Sequence, residues 1–233
     1  VDDVTGHSLE ASDFFVEDPQ TKSCKFWGLG SDGTVGANKS SVKIIGDHTP
    51  MFTQAYFEYD TKKSFGITKS HLRFGQNPIR STYLVSRADF VACHNQTYID
   101  KYDIVSDLKP GGTFLLNCAW KPEELEQRLP GAVKRYLARN QIQFYIINGN
   151  QISQDVGLGN LANMVLQAAF FRLAEIIPVE EAVAYMKEGV RKTYGRKGED
   201  VVRKNLAAID RGVEGVVKIS VPADWAQAPD VSA

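Results

Sequence analysis

Gly28-Leu29-Gly30-Ser31-Asp32-Gly33 is the stretch whose residue types and spacing most plainly suit chemistry, and it runs on as Thr34-Val35-Gly36-Ala37-Asn38-Lys39. It matches GxGxxG, follows the short apolar run Cys24-Lys25-Phe26-Trp27 and precedes a helical pattern, which is the context the motif requires. The chemistry is anion binding. Glycines let a backbone approach a phosphate, and unpaired N–H groups at a helix start meet it with the positive end of the helix dipole. Ser31 and Thr34 add hydroxyl donors. No Gly-Lys-Ser/Thr ending follows, so this is not the loop of a nucleotide-hydrolysing P-loop protein.

A dinucleotide site also wants an acid about 20 positions on, at the end of the next strand. Glu58 and Asp60 lie somewhat beyond that distance. The basic pair in Thr61-Lys62-Lys63 suits a phosphate, and reads equally well as a solvated turn. His71 and Arg73 share one face of a strand, as an anion-binding edge or as ordinary surface polarity. Asp155-Val156-Gly157-Leu158-Gly159-Asn160 introduces a helix whose first turn holds Asn163, placed to meet a ligand or to cap its own backbone. His7, His48, His71 and His94 are too scattered for a metal site, and no Ser/His/Asp order, paired carboxylates or CxxC is present. No complete catalytic apparatus stands in the chain.

The elements that must position these residues alternate short β-rich runs with longer helical periods. A helix is expected from Thr34 toward Ile45, closed by Gly46. Strands are expected over residues 51–59, 66–73, 79–85, 90–93, 113–118 and 143–148, with turns at residues 60–66, 75–78 and 109–112. Lys121-Pro122-Glu123-Glu124 looks like a helix start. Residues 161–177 are apolar almost all round, a buried helix ended by Pro178. Val179, Ala182, Val183, Met186 and Val190 form one helical stripe, and Val202, Leu206, Ile209 and Val213 form another. The expected class is α/β: a three-layer αβα domain with a mixed, largely parallel sheet, a Rossmann-like glycine-rich loop and a helical C-terminal third.

Composition agrees with a globular chain. The 233 residues carry 27 basic and 28 acidic side chains, a formal net charge of -1, which argues against nucleic-acid or membrane-surface partners. No apolar stretch approaches the roughly 20 residues that span a bilayer. Cys24, Cys93 and Cys118 are odd in number and widely spaced, which fits buried free thiols in a reducing compartment rather than a disulfide framework or a cluster. Residues 1–22 and 222–233 read as linkers around a domain at 23–221, an excised or processed piece or a trimmed chain.

The longer strings narrow the reading. Phe26-Trp27 with the glycine loop, Ser70-His71-Leu72-Arg73-Phe74-Gly75, Phe90-Val91-Ala92-Cys93-His94 and Lys109-Pro110-Gly111-Gly112-Thr113-Phe114 come first. Gln143-Phe144-Tyr145-Ile146-Ile147, Asn163-Met164, Gln167-Ala168-Ala169-Phe170-Phe171 and Lys192-Thr193-Tyr194-Gly195 follow. In this order they resemble one domain of the pyruvate:ferredoxin (flavodoxin) oxidoreductase family, the third of the single-chain enzymes and the gamma subunit of the others. Gly159-Asn160-Leu161-Ala162 departs from the Gly-Gly-Arg-Ile type of run more usual there.

The resemblance implies coenzyme A binding by Ser31, Asp32, Gly33, Thr34, Val35, Lys63, Asn163 and Asn205, with no catalytic residue on this domain. It implies a whole enzyme that converts pyruvate and coenzyme A to acetyl-CoA, carbon dioxide and two electrons for ferredoxin or flavodoxin. Thiamine diphosphate, Mg and [4Fe–4S] clusters would lie on other domains of the same polypeptide, in a cytoplasmic homodimer. An NAD-binding dehydrogenase domain and a non-catalytic docking domain stand as alternatives.

Overall fold

A computed structural model describes Val4, residues 18–60 and residues 66–230. Among these, seven strands form one sheet in the order β2-β3-β1-β4-β5-β6-β7. They are β1 (Thr21–Leu29), β2 (Phe52–Tyr59), β3 (Ile67–Gly75), β4 (Ala88–Cys93), β5 (Leu108–Asn117), β6 (Gln143–Ile147) and β7 (Val217–Ile219). β1, β4, β5 and β6 are parallel, while β3 pairs antiparallel with both β1 and β2, and β7 pairs antiparallel with β6.

The continuous apolar runs are explained by burial on both faces. Along β4, Phe90 and Ala92 enter one core while Val91 and Cys93 enter the other. On the first face lie α1 (Thr34–His48), α5 (Asn163–Ala174), α6 (Val179–Tyr194) and α7 (Glu199–Glu214). The second is covered by α2 (Leu125–Arg128) and α3 (Gly131–Arg139), while α4 (Gly149–Asp155) follows β6. The result is the expected three-layer α/β domain with a mixed sheet.

α5 is apolar all round because it lies inside the helical layer, against α1, α6 and α7. Its Phe170 meets Phe26 of β1 at 5.0 Å and Phe90 of β4 at 5.3 Å between ring centroids, edge on in both pairs. That cluster fixes α5 over the two strands that carry the site. The helix stops at Glu175 in a left-handed turn, before Pro178.

Several expectations are corrected. Residues 79–85 form no strand, because β3 already has β1 on one edge and β2 on the other. The segment is held by side chains instead: Arg73 donates to Tyr83 O, Gln54 to Ser81 O, and Val85 N–H to His71 Nδ1. The turn expected at residues 109–112 lies within β5 as a bulge, where the register against β4 shifts between Ala88 and Phe90. From Pro222 the chain, expected to trail as a linker, packs on α3 as far as Asp230: Trp225 is buried, and Arg135 donates to Ala228 O and Asp230. β7 has no counterpart in the sequence reading.

All three cysteines are buried free thiols. Cys24 lies in one core and Cys93 and Cys118 in the other, a distribution that does not fit a cluster. Among the described residues no helix is long and apolar enough to cross a membrane.

Candidate anion-binding site at the carboxyl edge of the sheet

After β1 the chain turns to one side of the sheet to form β2 and β3, then returns on the other side as β4. The crevice between the carboxyl ends of β1 and β4 is therefore the switch point where open α/β sheets bind ligands. The glycine loop lies at this position.

The loop is braced from inside. Asp32 accepts the Leu29 N–H on Oδ2 at 2.8 Å and the Thr34 N–H on Oδ1 at 2.7 Å, and its own N–H donates to Leu29 O. Gly30 N–H donates to Gly66 O at 2.7 Å, joining the loop to the start of β3. Ser31 and Gly33 take left-handed backbone angles, φ 76° and 88°. Among the described residues, the backbone N–H groups of Ser31, Gly33, Val35 and Gly36 have no partner. Four donors at the start of a 15-residue helix make an anion cradle.

Thr34 is turned away from that cradle. Its side chain is wedged over β1, where a Cβ on Gly28 would come within 2.7 Å of Oγ1. The hydroxyl meets His94 Nδ1 at 2.8 Å, and Thr34 is buried, so it braces the loop rather than offering a surface hydroxyl. His94 directly follows β4. Burial drives its imidazole down to about 4 against the opposing pull of Asp32, so it is neutral, and Nε2 is enclosed without a partner among the described residues. Asn117, at the end of β5, donates to His94 O and accepts the Gly149 N–H, both at 2.9 Å. It thereby locks the ends of β4 and β5 to the start of α4.

Asn163 is brought to the loop as expected: a Cβ on Gly33 would meet its Cβ and Cγ at 3.1 Å. Asn205 is buried on α7, where its amide donates to Val201 O at 2.8 Å, a bond within its own helix. Lys63, with Lys62, lies outside the described residues. Its flanks are informative, since Gly66 bonds the loop directly and Asp60 N–H donates to Ile67 O. His71 Nε2 meets Glu58 Oε1 at 2.5 Å, while Arg73 is buried against Gln54 and Tyr83 and borders a separate cleft with Ile79 and Arg80.

His94 and Asn117 were missed as site residues. Each is the polar residue at or just after the end of a buried strand, and that position was the available signal.

The strand order also bears on dinucleotide binding. β2 does not lie beside β1, because β3 intervenes, so Glu58 and Asp60 do not occupy the place of a ribose-binding acid. A family model described as pyruvate ferredoxin/flavodoxin oxidoreductase matches residues 23–215. The chain belongs to that family. It is 57% identical over 231 residues to the pyruvate-flavodoxin oxidoreductase of Enterobacter agglomerans, which covers 98% of this chain and 20% of that protein. The chain thus spans about a fifth of the length of the curated relatives it matches.

The oxidoreductase fold recurs in solved structures. Pyruvate oxidoreductase subunit PORC of Thermotoga maritima superposes with a TM-score of 0.68 at 16% identity, over 85% of this chain and 98% of that one. 2-Oxoglutarate:ferredoxin oxidoreductase of Magnetococcus marinus, solved with 2-oxoglutarate, coenzyme A and succinyl-CoA bound, superposes with a TM-score of 0.62 at 17% identity, over 88% of this chain and 34% of that one.

Proposed function

We propose that this chain is the coenzyme A-binding domain of a pyruvate:ferredoxin or flavodoxin oxidoreductase. The observation that carries the reading is the set of four unpartnered N–H groups at the start of α1, walled by Asn163. Coenzyme A carries a diphosphate that such a cradle suits. A protein of the same fold is described with coenzyme A bound, which supports the same assignment.

In this reading the amides of Ser31, Gly33, Val35 and Gly36 hold the diphosphate, and Lys63 adds charge. Asp32 and Thr34 keep the loop in shape from within. Asn163 contributes its amide at the rim, and Asn205, whose bond to Val201 uses one of its two amide N–H groups, contributes the other N–H and its carbonyl oxygen. The domain does no bond-making itself. It holds the thiol end for a reacting carbon on another domain, and positioning of that kind removes several kcal/mol of barrier, up to about 7–11 at best.

Thiamine diphosphate, Mg and [4Fe–4S] clusters belong, in the same reading, to the remaining four-fifths of the polypeptide. The electrons pass to ferredoxin or flavodoxin, and the whole enzyme is a cytoplasmic homodimer. Calorimetric titration with coenzyme A and NAD at two salt concentrations tests the assignment. Saturable coenzyme A binding that weakens with salt and with Lys63→Ala is expected; tighter binding of NAD would sink it.

A further inference from the structure

A cleft of about 640 Å³ lies at the amino edge of the sheet, opposite the edge that carries the glycine loop. Thr21 and Ser23 at the start of β1, Arg73 near the end of the antiparallel β3 and Lys109 at the start of β5 line it, together with residues 78–81 and 83–87.

Four cations line this cleft, Arg73, Arg80, Arg87 and Lys109, against one acid, Asp18. Asp18 is engaged in its own turn, accepting the Gln20 N–H at 2.9 Å and the Asn77 amide at 3.0 Å. Asp89 answers Lys109 at 3.0 Å. Arg73 is buried, yet among the described residues its guanidinium meets only neutral groups: Gln54 Oε1 and Tyr83 O, both at 2.9 Å, and the Tyr83 ring. A buried cation without a carboxylate is costly, and an acid entering the cleft offsets that cost. Tyr83 and Leu84 are exposed although both line the cleft, so it offers apolar surface as well as charge.

The sequence of residues 5–17, which lie outside the described residues, is the complement. It holds Glu10, Asp13 and Glu17, no Lys or Arg, and the adjacent Phe14 and Phe15. Asp18, the next residue, lines the cleft and is fastened to Asn77. Covalent attachment at that point gives the segment an effective concentration on the order of millimolar, so weak contacts suffice.

We propose that this cleft docks residues 5–17 of the same chain, the acids facing its cations and Phe14-Phe15 covering Tyr83 and Leu84. Arginine clusters read acidic segments in this way, and aromatic contacts add the apolar part. The docking site lies at the other end of the strands from the glycine loop and does not depend on the coenzyme A reading.

Ser12→Cys in the 233-residue chain takes a nitroxide selectively, because Cys24, Cys93 and Cys118 are buried. Paramagnetic broadening of the backbone amide resonances, compared with the reduced label, then reads which surface the segment meets. Loss of intensity at the amides of residues 79–86 is expected, with those of residues 28–36 unchanged. Arg80 is exposed, so Arg80→Glu leaves the fold intact; it and Asp13→Lys are each expected to restore intensity. Ser8→Cys carries the label if Ser12→Cys does not fold. Unbroadened amides at residues 79–86, or broadening that neither charge reversal reduces, overturn the proposal. Broadening of an isotope-labelled chain by a separate nitroxide-labelled one means docking onto a second copy, and overturns it as well.

Discussion

Thr34 Oγ1 and His94 Nδ1 lie 2.8 Å apart, fastening the first residue of α1 to the end of β4 across the switch-point crevice. The loop is thus shaped from beneath, by a buried side-chain pair, while the N–H groups of its outer surface carry no bond among the described residues.

Removing one member of that pair exposes its worth. Thr34→Ala leaves His94 with neither ring nitrogen bonded among the described residues and should cost about 1–3 kcal/mol, read as a lower denaturation midpoint. Thr34→Ser keeps the hydroxyl and should recover most of the loss. Equal midpoints for wild type and Thr34→Ala would mean that the pair contributes nothing.

His94 also sets a pH dependence. In the fold its imidazole stays neutral down to about 4, whereas the unfolded chain takes up the proton near 6.5. Between those values the unfolded state binds more protons, so stability is full above 6.5 and falls as the pH drops toward 4. The loss from this group approaches roughly 3 kcal/mol. His71, also lowered by burial, acts in the same direction. Denaturation across this range should therefore show a shallower slope for His94→Gln than for wild type; identical slopes would remove His94 from the linkage.

Ser31 is exposed yet has a φ of 76°, a backbone that glycine adopts freely and a β-branched residue resists. Ser31→Gly should leave stability within about 1 kcal/mol of wild type, and Ser31→Val should lower it by about 1–3 kcal/mol with no packing lost. Equal melting of the two variants would show that the loop relaxes to another conformation.

The parts legible in the sequence were those encoded locally. A strand, three glycines and a helix pattern place the cradle without reference to the rest of the chain, and the stripes of α6 and α7 name their own buried faces. Residues 79–85 were misread because a strand needs an open edge, and β2 had already taken the edge of β3, which no local pattern reports. The bulge in β5 hid behind Pro110-Gly111-Gly112, which has the composition of a free turn. The bond of Asn205 to Val201 is a property of α7 that spacing does not carry. His94 escaped because its place after a buried strand points to a site only once the topology sets it beside Thr34.

The cradle itself is tested most directly by following the backbone amide resonances of isotope-labelled chain during titration with coenzyme A. Progressive, saturable shifts concentrated at Ser31, Gly33, Val35 and Gly36, with Gly30 and Asp32 nearly still, are the expected result, since the first four amides carry no bond among the described residues and the other two already do. Saturable binding that moves other amides and leaves those four unperturbed would contradict it.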